Sequence, residues 1–312
     1  MIEATIGIDV SKDRLDAHRL PDGATRIFAN DPGGRRALLA WLAEMPVRRI
    51  VFEPTGPYHK ALEAALARAG LPIAKVNPRQ ARRFAEATGK LAKTDRIDAA
   101  LLARFGALLE PALLTVPGEA VQHLKELTQA RRALVRDRTA AKNRAATLAI
   151  ALLRRQNAQR LRQIERQIAA LDEAIRATVE GDAVLARRHA ILLSIPGISD
   201  ITAVVMLVEM PELGALETKQ AASLAGLAPV DRQSGAWRRR ASIRGGRAAL
   251  RQALFMPALV AARFNPDLKA VYLRLSAAGK PAKVAITAVM RKLLLLANTL
   301  LRQDRLWQSR DA

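Results

Sequence analysis

Thr5-Ile6-Gly7-Ile8-Asp9-Val10, then Arg14-Leu15-Asp16-Ala17-His18, then Thr25-Arg26-Ile27-Phe28-Ala29 alternate in the strand manner, with the turn residues Ser11-Lys12-Asp13 and Pro21-Asp22-Gly23 between them. A period of two is what a strand with one covered face imposes, and links this short join antiparallel neighbours. Three consecutive antiparallel strands fit this spacing.

After Asp31-Pro32-Gly33-Gly34 the pattern turns helical through Trp41, read as a core residue, and Met45. A strand follows at Arg49-Ile50-Val51-Phe52, then a helix from Pro57 to Ala69, a strand from Pro72 to Val76 and a helix from Asp95 to Leu108. Strands alternating with helices put a partly parallel sheet in this half. The order β-β-β-α-β-α-β-α is that of an RNase H-like α/β domain, to which we assign residues 1–112.

Between Pro117 and Pro196 there is no proline, and past Gly118 only Gly181 interrupts, so residues 113–186 read as long helices. Leu161, Ile164, Ile168, Leu171 and Ile175 step by three and four, the seam of a coiled coil. That seam is expected to drive oligomerisation, with packing inside one chain as the alternative. The other faces carry Arg154, Arg155, Arg160, Arg162 and Arg166, either a solvated basic face or a surface for phosphate or a partner helix. Residues 187–312 read as a mainly α domain. Its opening, Leu192-Leu193-Ser194-Ile195-Pro196-Gly197-Ile198-Ser199, is like a helix-hairpin-helix, in which the turn at Gly197 and the following helix N-terminus would hold a phosphate. A purely structural hairpin is the alternative.

The 312 residues carry 51 Lys+Arg against 29 Asp+Glu, a formal charge of +22. Such a surplus attracts polyanions, of which nucleic acid is the usual one, and argues against most metabolic enzymes. No apolar run in the sequence approaches the ~20 residues of a spanning helix, and Met1-Ile2-Glu3-Ala4-Thr5 lacks a basic region before an apolar one. A cytoplasmic, nucleoid-associated protein of bacterial type is expected. Zero cysteines remove disulfides, thiol catalysis and thiolate zinc sites together. Any metal must then be held by carboxylates.

Asp9 lies near the end of the first strand, and Glu53 follows directly on Val51-Phe52. Asp95 and Asp98 stand at i and i+3, on one helix face. Two strand ends and one helix face can bring four carboxylates together, and four hard oxygen donors suit Mg2+ or Mn2+. Taken singly, Asp95 would cap its helix, Asp98 would pair with Arg96 or Arg104, and Asp9 would end a strand at a turn.

Gly7-Ile8-Asp9-Val10-Ser11-Lys12, Phe52-Glu53-Pro54-Thr55-Gly56-Pro57-Tyr58-His59 and Lys93-Thr94-Asp95-Arg96-Ile97-Asp98-Ala99 resemble the motifs of the DEDD transposases of the insertion sequence 110 family. The likeness continues through Ser223-Leu224-Ala225-Gly226-Leu227-Ala228-Pro229, Gln233-Ser234-Gly235 and Ile243-Arg244-Gly245-Gly246-Arg247, with small departures at Ala236-Trp237 and Gly245-Gly246. The resemblance implies a RuvC-like N-terminal domain with a metal-binding set of Asp9, Glu53, Asp95 and Asp98. It also implies that Ser234 is the nucleophile of a C-terminal transposase domain, forming a covalent phosphoserine with DNA. A tetramer pairing donor with target DNA through a structured bridge RNA is likewise implied.

A serine hydroxyl is a weak nucleophile without a base or metal to activate it. No histidine is close to Ser234 in sequence, and Ser-Gly is by itself an ordinary turn in a loop-like stretch. Arg232, Arg238, Arg239, Arg240, Arg244 and Arg247 surround it and would contact phosphate or RNA. The expected function is a metal-dependent DNA recombinase; the alternatives are a RuvC-like nuclease that uses water, and a non-catalytic nucleic-acid-binding protein.

Overall fold

The computed structural model describes residues 3–54, 56–89, 95–114, 118–234 and 237–309, with the backbone alone for 95–97 and 231–241. Two compact units divide the chain, Met1–Val116 and Pro117–Ala312.

The first unit is built on β1 (Ala4–Val10), β2 (Arg14–Leu20), β3 (Thr25–Ala29), β4 (Val47–Phe52) and β5 (Ile73–Lys75), in the sheet order β3-β2-β1-β4-β5. β1, β2 and β3 are antiparallel neighbours, whereas β4 is parallel to β1 and β5 to β4. Among the described residues, four helices complete it: α1 (Pro32–Leu42), α2 (His59–Arg68), α3 (Pro78–Ala87) and α4 (Asp95–Leu109). Asp31 starts α1 by accepting from Gly34 N at 2.7 Å, with Pro32 in the first turn, where its missing N–H costs nothing.

Both faces of this sheet are covered, because its even and odd residues meet different helices. Ile6, Ile8, Ile50, Phe52 and Ile73 pack with Trp41 and Leu38 of α1 and with Leu62 and Leu66 of α2. Val51, Ala74 and Val76 pack instead with Ala81 of α3 and with Leu102 and Phe105 of α4. α4 lies so close that a Cβ on Gly7 would overlap Ala99 O and Ala103 N, both backbone atoms. One on Gly106 would reach Val51 Cγ2 at 2.5 Å and Thr5 Cγ2 at 2.9 Å. These two contacts fix the direction of α4: its C-terminal part sits over Thr5, its middle over Gly7, so it runs antiparallel to β1.

The second unit opens with α5 (Glu119–Ala145) and α6 (Ala151–Glu180), which fold back on each other as an antiparallel hairpin. Arg131 of α5 pairs with Asp172 of α6, whereas Ala141 O accepts from Asn157 Nδ2 at 3.0 Å and Lys142 lies 4.0 Å from Glu165, so the later part of α5 meets the earlier part of α6. Ile164, Ile168 and Ile175 are buried and Leu161 and Leu171 half-buried within this single chain. The seam expected to drive oligomerisation is thus covered by α5. A five-residue link keeps α5 at an effective concentration that a second copy cannot match.

α7 (Ala183–Leu193), α8 (Asp200–Glu209), α9 (Thr218–Leu224), β6 (Pro229–Ser234), β7 (Trp237–Ile243), α10 (Ala248–Phe264), α11 (Pro266–Ala277) and α12 (Ala282–Arg302) follow. Leu124 of α5 and Ile175 and Val179 of α6 belong to the same apolar core as α7, α8, α10 and α12. The stretch 113–186, read from sequence as a region of its own, therefore shares a core with the residues that follow it. α12 is, among the described residues, the one helix long and apolar enough by composition to cross a membrane. The sequence pattern had suggested no such run; here Val289, Leu293, Leu294, Ala297 and Leu300 of this helix are buried in the unit's core.

Because the atoms facing Gly7 are backbone and cannot rotate away, Gly7→Ala must push α4 off the sheet. The opening free energy of β1 and α4 amides, measured by native-state hydrogen exchange, should fall by about 3 kcal/mol.

Candidate functional site

Asp9 is the last but one residue of β1, and Glu53 follows the last residue of β4. The register pairs Gly7 with Val51 and Ile8 with Phe52, so Asp9 and Glu53 come next, side by side at the C-terminal ends of two parallel strands. Strand alternation assigns them to the face of Gly7 and Val51, the face that α4 covers. Since α4 runs antiparallel to β1, its first turn is carried to this same edge. Asp98 stands one turn before Leu102, which is buried against the sheet, and Asp95 stands one turn before Ala99.

Asp9, Glu53 and Asp98 are half-buried, and each already interacts within the chain. The side chain of Asp95 lies outside the described residues. Among the described residues, no three acidic or histidine side chains gather closely enough to hold a metal ion. The donor set itself, carboxylate oxygens at one sheet edge, has the chemistry of a hard divalent cation's site. Sequence reasoning missed Asp16, the cross-strand partner of Asp9. It is buried and held two-pronged by Arg14, Nε at 3.0 Å and Nη2 at 2.9 Å, so its charge is offset beside Asp9.

Ser234 is the last residue of β6 and pairs with Trp237 at the start of β7. The stretch expected as a loop is therefore one arm of a two-stranded antiparallel ribbon, in which Gln233 pairs with Arg238 and Arg232 with Arg239. The side chains of Ser234, Arg232, Arg238, Arg239 and Arg240 lie outside the described residues. Arg244, at the ribbon's base, is exposed.

The base of the ribbon is tied down by two glycine turns packed back to back. A Cβ on Gly226, at φ +67°, would overlap Gly245 O, and one on Gly246, at φ +62°, would overlap Gly226 N. Arg247 N donates to Leu224 O at 2.9 Å, and Arg251 Nη1 donates to Gly245 O at 2.7 Å. Arg247, expected to contact nucleic acid, uses its guanidinium inside the chain: Nη1 donates to Glu209 O at 2.7 Å and Nη2 to the Glu212 carboxylate. Burial alone would raise the Glu212 pKa, but the hydrogen bond from Arg247 and the charges of Arg247 and Arg188 outweigh it and hold the carboxyl below its ordinary value.

Glu212 projects from a turn that is itself braced. Arg188 Nη2 donates to Pro211 O at 2.9 Å and Leu213 O at 2.8 Å. Buried Asn298 accepts from Gly214 N at 2.7 Å and donates to Leu216 O at 2.9 Å, and Arg302 donates to Leu216 O as well. The two ends of each of these bonds are more than twenty residues apart in sequence, so only the Pro211 and Gly214 punctuation hinted at a turn.

Gly197 adopts φ +105°, and a Cβ there would come within 2.7 Å of Pro257 O and 2.9 Å of Ala261 N of α10. The hairpin between α7 and α8 thus needs a glycine for packing inside its own unit.

Residues 6–149 match the DEDD transposase family of IS110 elements, and residues 189–273 match the family described as Transposase IS116/IS110/IS902. The chain is 31% identical to the pilin gene-inverting protein of Moraxella bovis, and equally to that of Moraxella lacunata, over 99% of both chains in each case. It is 30% identical to an uncharacterized 43.6 kDa protein of insertion element IS110 from Streptomyces coelicolor, over 49% of this chain and 37% of that one. Thermus thermophilus RuvC, solved with a Holliday junction substrate, covers 36% of this chain at 15% identity and a TM-score of 0.28, with all of that chain matched.

The lowered pKa of Glu212 has a signed consequence for stability. A carboxylate depressed on folding stabilises the fold above its unfolded value, ~4.3 for glutamate, and that contribution is lost as pH falls through the lower folded value. Glu212→Gln should therefore melt below wild type at neutral pH, and the gap should close on acidification beneath that range. Thermal melts across a pH series check this.

Proposed function

Because this chain belongs to the IS110 family of transposases, enzymes that act on DNA, we propose that it cleaves and rejoins DNA through Ser234. In this reading Asp9, Glu53, Asp95 and Asp98 hold Mg2+ or Mn2+, a structured bridge RNA pairs donor with target, and the working particle is a tetramer. The observation that carries the carboxylate assignment is the antiparallel run of α4 over β1. It supports a shared sheet edge for three acidic motifs that are spread over some 90 residues of sequence.

When bound there, two divalent ions would polarise phosphate oxygens and favour the ionised form of an attacking hydroxyl. Ser234 Oγ forms a bond to phosphorus while the deoxyribose oxygen leaves, so the phosphodiester is exchanged for a phosphoserine ester of similar energy. A second strand's hydroxyl reverses the exchange, and no external energy source is required. Arg232, Arg238, Arg239, Arg240 and Arg244 offset the charge of the transferring phosphoryl group and grip flanking phosphates. The exposed arginines of α6 and the turn at Gly197 add backbone contacts to DNA or RNA, in keeping with the charge of +22. A division of labour into 1–112, 113–186 and 187–312 follows: carboxylates, nucleic-acid-binding hairpin, nucleophile.

The test uses the protein with the RNA that co-purifies with it and a plasmid bearing the element. Ser234→Ala should abolish both strand joining and the denaturant-stable protein–DNA adduct, with DNA and RNA binding retained. Asp9→Asn should abolish the same adduct. Rejoining by Ser234→Ala at the wild-type rate would leave a metal-dependent nuclease using water as the better reading, and an unaffected Asp9→Asn would remove the carboxylates from the chemistry.

A further inference from the structure

We infer that the Glu212–Arg247 pair is a latch that sets where Ser234 stands, so that both are positioning residues and Arg247 does not serve as a DNA contact. The inference rests on the serine reading above and adds the part of the chain that would hold the nucleophile still.

A two-stranded ribbon is a weak structure on its own, marginally stable without a sheet or helix beneath it. Ser234 is at its far end, so a small tilt at the base moves the serine by a larger distance. Precision must come from the base. There, both strands leave one point: Gly226 precedes β6, Gly245-Gly246 follows β7, and the two turns touch backbone to backbone. Contact between glycines alone defines a hinge. The stop on that hinge is Arg247, the residue directly after the second turn, whose planar fork bonds Glu209 O and Glu212 together.

Glu212 can act as a fixed stop because its turn is bound by α7 and α12, through Arg188, Asn298 and Arg302. Arg188 serves two carbonyls of the turn at once, and buried Asn298 uses both ends of its amide. The route is continuous: α12 and α7 hold the turn, the turn holds Glu212, Glu212 holds Arg247, and Arg247 closes the ribbon's base. Arg251, one helical turn further into α10, reinforces the same corner through Gly245 O. Arg188, Glu212, Arg251, Asn298 and Arg302 all lie outside the motifs that carry the nucleophile.

The experiment compares full-length wild type, Ser234→Ala, Glu212→Gln and Arg247→Lys, each with its co-purifying RNA. Single-turnover adduct formation should slow about a hundredfold in Glu212→Gln, the scale of a misplaced reacting group. Arg247→Lys, which keeps the charge but loses the fork, should fall between the two. DNA affinity should stay at the wild-type value, and amide exchange should quicken in β6 and β7 but not in α12; a general loss of structure would move all of these together. Wild-type adduct rates in both latch variants, beside an inactive Ser234→Ala, would overturn the latch and leave the serine reading standing. An active Ser234→Ala would overturn the serine reading instead, and unchanged exchange in β6 and β7 would then overturn the latch as well. If Glu212→Gln does not fold, Arg247→Lys alone decides by the same two measurements.

Discussion

The contact between the backbone of α4 and the bare Cα of Gly7 is the constraint on which the candidate chemistry depends. A helix normally rides on a sheet at the distance its side chains dictate, about 10 Å between layers. Gly7 lets α4 descend until backbone faces backbone, and Gly106, further along the same helix, makes room for the side chains of Val51 and Thr5. Two such points fix both the height and the direction of the helix. Its first turn is thereby committed to the strand ends that carry Asp9 and Glu53, and no other part of the chain has to recognise the acidic residues for them to share an edge.

The same device recurs in the second unit with a different purpose. Gly226 and Gly245-Gly246 bring two turns into contact, and Gly197 brings the α7–α8 hairpin onto α10. At the ribbon, small residues set a distance and Arg247 with Glu212 sets an angle; Arg14 likewise orients Asp16 beside Asp9. Charged pairs in such half-buried places contribute little net stability, since desolvation offsets attraction. Their value is geometric, because a guanidinium fork accepts only one arrangement of its two partners.

The alternation of β1 to β3 and the acidic motifs were legible because each is a local pattern, readable within six to eight residues. The ribbon was not. Pro229 to Ser234 and Trp237 to Ile243 carry runs of charge instead of alternating apolar residues, and without a buried face the period of two is not written into the sequence. A Gly-Ala link between two short segments was the one available hint of a hairpin. Glu212 was invisible for a different reason: its partner is 35 residues away and the turn beneath it is held from α7 and α12. The apolar positions of α6 stand out in the sequence by their spacing and are covered within the chain, but a sequence does not say which helix will cover them, and the nearest one in the chain does.

Whether the acidic edge is a metal centre is the claim on which the mechanism turns, and anomalous diffraction from crystals of the full chain grown with Mn2+ addresses it directly. The account predicts manganese peaks bounded by the carboxylates of Asp9, Glu53, Asp95 and Asp98, and their loss in crystals of Asp98→Asn. Manganese bound elsewhere on the chain, with that edge free of anomalous signal at saturating Mn2+, would contradict it.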